Sequence, residues 1–152
     1  MRKQLLQLSF IALALIFISG CGKDKDDPAP AKTKTELITT GSWKFQSASS
    51  SLAGDISSYP QLACYTDNTM TFATNLSGTI AEGANVCTSP APATFTWSFQ
   101  TSETILHLSF TLFAGGSPDF TIVSINETNL VLSQSVTFPG FPAQVITVTF
   151  KH

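Results

Sequence analysis

The residues Phe95-Thr96-Trp97-Ser98-Phe99 put three aromatic rings on one face of an extended segment and two hydroxyls on the other. That period of two constrains the fold more than any other feature, because only a strand sends alternate side chains to opposite faces. Met70-Thr71-Phe72, Leu106-His107-Leu108-Ser109-Phe110 and Ile146-Thr147-Val148-Thr149-Phe150 repeat the scheme. Phe120 to Ile125 and Leu130-Val131-Leu132 are rich in strand formers but alternate less cleanly. Turn residues separate these runs: Asn75-Leu76-Ser77-Gly78, Thr101-Ser102-Glu103, Gly115-Gly116-Ser117-Pro118, Asn126 to Asn129 and Pro139-Gly140. Short connections make successive strands antiparallel neighbours, so the chain is read as an all-β, up-and-down antiparallel meander of about eight strands. Closure into a barrel hides both edges, whereas a sandwich of the same strands needs longer crossovers. No segment after Cys64 has the length and 3.6 period of a helix.

Two segments depart from the pattern. Ser47 through Ala63 is rich in Ser, Gly and Ala without a period, and reads as a long loop able to act as a lid. Thr35-Glu36-Leu37-Ile38 suits a single helical turn over one end of the barrel.

Ahead of this domain, Arg2 and Lys3 precede the apolar run Leu8 to Ile18, followed by Ser19, Gly20 and Cys21. A basic start, a short apolar core and small residues mark a secretory signal peptide, shorter than the roughly 20 apolar residues of a spanning helix. Ile18-Ser19-Gly20-Cys21 resembles a bacterial lipobox. That resemblance implies diacylglycerol on the Cys21 sulfur and a further acyl chain, such as palmitate, on the amine freed by cleavage. Residues 22–35 are charged, contain prolines and read as a flexible tether. The acidic run after Lys23 is similar to export signals of outer-membrane lipoproteins. The expected organisation is therefore 1–20 signal peptide, 21–35 lipidated cysteine and tether, and 36–152 barrel. The expected location is the outer membrane, lipid-anchored, facing inward or outward.

From Glu36 onward the only basic residues are Lys44 and Lys151, against seven acids, a net charge of −5. Such a surface disfavours nucleic acid. Within the domain Cys64 and Cys87 stand 23 residues apart. In an exported chain a disulfide is the expected state, with free thiols or a metal pair as the alternatives. No third or fourth ligand stands nearby, and no metal or cofactor is expected. His107 and Ser109 share the outer face of their strand, but no acid stands in phase to orient the imidazole. His152 is expected to be mobile as a chain end. The seven acids form no paired-carboxylate or calcium-loop pattern, and Asp67 reads as a turn or capping residue. An enzyme is not expected.

Leu37-Ile38-Thr39-Thr40-Gly41-Ser42-Trp43-Lys44-Phe45 contains a G-x-W, and an ordered series follows it. Cys64 precedes Asp67, Met70-Thr71-Phe72 precedes Ser77-Gly78-Thr79, and Cys87 precedes Phe95 to Phe99. In this order the chain from Glu36 to His152 resembles a lipocalin-like domain of small bacterial lipoproteins. The resemblance implies a calycin-type barrel, Trp43 plugging its closed end, and a small apolar ligand. Two lipocalin features are missing: the T-D-Y signature and the late arginine that stacks on the first-strand tryptophan, for which Lys151 is a poor substitute.

Phe45, Met70, Phe72, Phe95, Trp97 and Phe99 fall in phase on their strands, and in a barrel of about eight strands they either line a ligand cavity or fill it. Phe138-Pro139-Gly140-Phe141-Pro142 reads as an apolar rim or a rigid turn. The expected function is a monomeric, non-enzymatic binding module tethered by lipid, holding a small apolar molecule. The alternative is a packed-barrel lipoprotein that presents its loops to a protein or glycan.

Overall fold

The computed structural model describes residues 30–152 apart from Ser89, Ala114, Phe138, Pro139 and Phe141. The signal segment, Cys21 and most of the Phe138–Pro142 rim therefore lie outside the described residues. Contacts divide the chain into Met1–Ala31 and Lys32–His152, and all the elements below belong to the second unit.

Order along the chain is α1 (Lys34–Ile38), β1 (Ser42–Ser50), β2 (Gly54–Asp55), α2 (Pro60–Ala63), β3 (Thr69–Phe72), β4 (Ser77–Ala81), β5 (Thr94–Gln100), β6 (Ile105–Leu108), β7 (Asp119–Ile125), β8 (Asn129–Val136) and β9 (Gln144–Lys151). Strands β1 and β3 to β9 pair antiparallel in sequence order, and β9 returns to β1 through Lys44↔Lys151 to Ser50↔Ile146. The sheet is thus a closed eight-stranded barrel with up-and-down order. Closure leaves no free edge, which suits a chain whose outward strand faces carry hydroxyls rather than the charges that usually guard edges. The two-residue β2 hangs on the far end of β1 through Ser49↔Asp55 and Ser50↔Gly54.

Alternation in the sequence becomes alternation in burial. Phe95 and Trp97 point inward while Thr94 and Thr96 are exposed; on β9, Ile146, Val148 and Phe150 point inward. The Phe72 ring meets Phe95 and Trp97 edge to face, each at a centroid distance of 5.5 Å, an arrangement that aromatic quadrupoles favour. Gly78 makes room for this cluster, since a Cβ there would sit 2.2 Å from the Phe95 ring.

Ser47 to Ser50 prove to be strand rather than the start of a loop. Their inward positions are Ala48 and Ser50, too small and too polar for the periodicity to register. The rest of the supposed lid is also structured, by β2 and then by α2, which Pro60 opens at a position where a missing N–H costs nothing.

One end of the barrel is made of short connections: 39–41, 73–76, 101–104 and 126–128. α1 sits at this end. Its capping box pairs Thr33 Oγ1, accepting from Glu36 N–H at 3.2 Å, with Glu36 Oε2, accepting from Thr33 N–H at 2.7 Å. These bonds from Thr33, backbone first, hold the Glu36 carboxyl below its ordinary pKa. Lys32 pairs with Glu127 at 2.7 Å, and Lys34 Nζ donates to Glu103 O at 2.5 Å. The folded unit therefore takes in Lys32 to Thr35, ahead of the Glu36 at which the sequence suggested it would begin.

The β5–β6 connection is strained. Thr101, Ser102 and Glu103 all adopt left-handed backbone, with φ of 50°, 53° and 61°. For residues with a Cβ this costs roughly 1–2 kcal/mol each. Ser102 is exposed, so Ser102→Gly is expected to raise stability by about 0.5–1 kcal/mol after the entropy that glycine adds to the unfolded chain. A urea midpoint no higher than that of the parent would show that the turn carries no such strain.

Candidate functional site

The opposite end is made of the long connections: 51–68, 82–93, 109–118 and 137–143. Residues of the first three, with the end of β1 and the start of β9, border an open cavity of about 1580 Å³. Ile56 and Leu62 come from the first connection, Cys87 and Pro90 from the second, Phe110, Leu112 and Phe113 from the third, and Gln144 and Ile146 from the start of β9. Four exposed side chains stand at this end: Leu52 (60% exposed), Tyr59, Val86 (67%) and Val145. The first three of them line the cavity.

Below the cavity the barrel is filled. It holds a void of about 30 Å³, lined by Trp43, Phe45, Asn68, Met70 and Phe150 among others. That is room for a water molecule or two. Tyr65, Ala91, Leu112 and Phe113 line both spaces and separate them. The Tyr65 hydroxyl donates to Leu112 O at 3.4 Å across this partition. Burial first, and Glu82 second, raise its pKa, so the hydroxyl stays protonated through the neutral range.

Two cross-links hold the mouth loops. Cys64, the C-cap of α2, is bonded to Cys87 with a Cα–Cα distance of 5.1 Å, tying 51–68 to 82–93. Asp67 Oδ2 accepts from Asn85 N–H at 3.0 Å and from Asn85 Nδ2 at 3.2 Å, which gives Asp67 a loop-bracing role. Both cysteines line the large cavity.

Buried polar groups at this end share a pattern. Asn68 Oδ1 accepts from Gly83 N–H at 3.1 Å and Gln134 Oε1 from Ser117 N–H at 2.7 Å. These backbone donors fix which way each amide points. Asn68 Nδ2 and Gln134 Nε2 are left buried without a partner, at a cost of about 1–3 kcal/mol each.

The six aromatic and methionine positions proposed as ligand-lining do not act as one group. Phe45 and Met70 line the small void; Phe72, Phe95 and Trp97 pack the interior, and Phe99 is partly buried against Trp97. None of the six lines the large cavity. Its wall comes from residues that sequence reasoning passed over as connections. One signal was available: the alternation of β6 continues through Ser109-Phe110-Thr111-Leu112-Phe113.

Trp43 closes the other end. It is 0% exposed, its Nε1–H donates to Ile38 O at 2.9 Å, and α1 packs over it through buried Ile38. The partner expected from a late basic side chain is neither an arginine nor Lys151, whose side chain is exposed on β9. It is His152, whose ring centroid lies 3.8 Å from that of Trp43. The expectation of a mobile chain end is therefore overturned. His152 Nδ1 donates to Ser42 O at 3.0 Å, and since a carbonyl only accepts, Nδ1 carries the hydrogen. Gly41 is needed here twice over: its φ is +67°, and a Cβ would approach His152 Nδ1 to 3.2 Å.

The reading of His107 is also corrected. Asp119 faces it across β6 and β7, with Oδ1 2.6 Å from His107 Nδ1. The acid arrives from the far side of a mouth loop, so phase along β6 alone could not reveal it. The pair sits on the outer wall, with side chains 35% and 47% exposed, and neither residue lines the cavity. Ser109 Oγ accepts from Thr96 N–H, and no hydroxyl of the described residues is bonded to His107 Nε2. Among the described residues no cluster of three or more His, Cys, Asp or Glu is placed to hold a metal.

A closed meander barrel, plugged at one end by a helix and a buried tryptophan and opening at the other into an apolar cavity, defines the calyx class of β-barrel. The chain belongs to the family described as lipocalin-like domain, whose model matches residues 39–132. No curated protein matches it.

Proposed function

We propose that this protein is a lipid-anchored, non-enzymatic binding module that holds a small apolar molecule in the mouth cavity. The observation that carries the reading is the cavity of about 1580 Å³, walled by Ile56, Leu62, Phe110, Leu112, Phe113 and Ile146. Removing apolar ligand surface from water supplies roughly 25 cal/mol per Å² before the costs of association. Membership of the lipocalin-like family supports binding in a barrel mouth. The imidazole–carboxylate pair on the outer wall offers the cavity no catalytic group. Anchorage at the outer membrane rests on Ile18-Ser19-Gly20-Cys21 and on the signal segment before it.

A second reading is favoured by the packed interior, whose void below the mouth is about 30 Å³. On that view the protein presents its loops, with exposed Leu52, Tyr59 and Val86, to a protein or glycan. Native mass spectrometry of the full-length protein, after incubation with membrane and culture extracts, separates the two. The binding reading expects an adduct of about the mass of a lipid-like molecule that survives gentle ionisation and leaves on denaturation. A bare mass in repeated preparations rejects it and leaves the loop-display reading.

A further inference from the structure

Among the described residues, no Asp, Glu, Lys, Arg or His lines the mouth cavity. The connections that build this end carry Asp55, Asp67 and Glu82 and no basic residue. An anionic head group would meet no counter-charge there and three carboxylates nearby. A buried cation would likewise find no carboxylate in the wall. Taking an unpaired charge out of water is costly, so the cavity selects for neutral molecules.

One polar corner of the wall is built. Ser50 is 6% exposed, and its Oγ accepts from Leu52 N–H at 3.1 Å and from Ala53 N–H at 3.2 Å. With both lone pairs taken, the hydroxyl hydrogen goes to Gln144 Oε1. With the Gln144 oxygen turned to Ser50, its Nε2 is the donor that this amide carries on the cavity wall. Ser50 and Gln144 both line the cavity. Asn68 and Gln134 repeat the arrangement deeper in: oxygen taken by the backbone, NH₂ unpartnered. These two amides are donors in want of an acceptor.

We infer that the ligand is an uncharged, largely apolar molecule bearing an acceptor oxygen of the carbonyl type, and that Gln144 Nε2 donates to that oxygen. The inference rests on the binding reading above and deepens it, by excluding fatty-acid anions and by giving the site a polar contact.

The test uses three probes of one chain length, methyl nonyl ketone, undecane and undecanoate, each displacing the neutral dye N-phenyl-naphthylamine from the full-length protein at mildly alkaline pH. A single neutral hydrogen bond predicts that the ketone competes roughly tenfold better than undecane. The unpaired charge predicts that undecanoate competes at least about a hundredfold worse than the ketone. Gln144→Leu should erase the ketone's advantage over undecane. Gln144→Glu should do the same and weaken undecanoate further. Gln144 is only partly buried at the start of β9, and circular dichroism confirms that each variant is folded.

Undecane or undecanoate matching the ketone overturns the inference while the binding reading stands. A ketone preference that survives in Gln144→Leu overturns the role given to Gln144. Failure of the dye and of all three probes to bind removes the binding reading itself, and this inference with it.

Discussion

Replacing Trp43 by alanine is expected to destabilise the barrel by about 4 kcal/mol, the usual size for deleting a fully buried tryptophan. Domains of this size have about 5–15 kcal/mol in all, so the loss consumes a large share of the total. Three contacts go together: the packing of an indole that is 0% exposed, the hydrogen bond to Ile38 O, and the stack with His152. Trp43→Phe separates them by keeping a ring while deleting the donor, and should recover most of the stability. His152→Ala, which removes only the partially exposed lid of the stack, should cost nearer 1 kcal/mol. Urea unfolding followed by tryptophan fluorescence suits the last two variants and circular dichroism the first. A Trp43→Ala protein within 1 kcal/mol of the parent would show that the closed end does not hold the barrel together.

Removing the Cys64–Cys87 bridge has the second largest expected effect. With its ends 23 positions apart in the sequence, the chain-entropy estimate for the constraint is about 3 kcal/mol. Cys64→Ala with Cys87→Ala, or reduction by a dithiol, should lower the melting temperature by on the order of 10 °C. The damage should also be local. Limited proteolysis of the reduced protein is expected to cut first at 60–68 and 82–93, which the bridge joins, and to spare the turns at the closed end. An unchanged melting temperature, in protein whose thiols are shown by alkylation to be free, would mean that Asp67 and Asn85 already hold the mouth loops unaided.

The strands were legible because their signal is local. Phe95 to Phe99 declare a strand whatever lies around them, and the turn residues set the antiparallel order. Closure followed from the need to hide edges. What escaped the sequence was whatever depends on partners distant along the chain. His107 and Asp119 are 12 residues apart and meet through a register that neither residue encodes. His152 reaches Trp43 across more than a hundred residues, and only because β9 closes on β1. The cavity was missed for a related reason. Its wall is assembled from three connections and two strand ends, of which only Phe110 to Leu112 carry on a strand's apolar alternation, whereas the aromatic positions that did stand out in the sequence belong to the packed interior.

The attachments of Lys32 to Glu127 and of Lys34 to Glu103 bear on how such a molecule meets its surroundings. Both acceptors lie in turns of the plugged end, so Lys32 to Thr35 are fastened across the floor of the barrel. Fastened there, residues 32–35 stay clear of the four long connections, and the rim those connections form is the surface that a guest meets first.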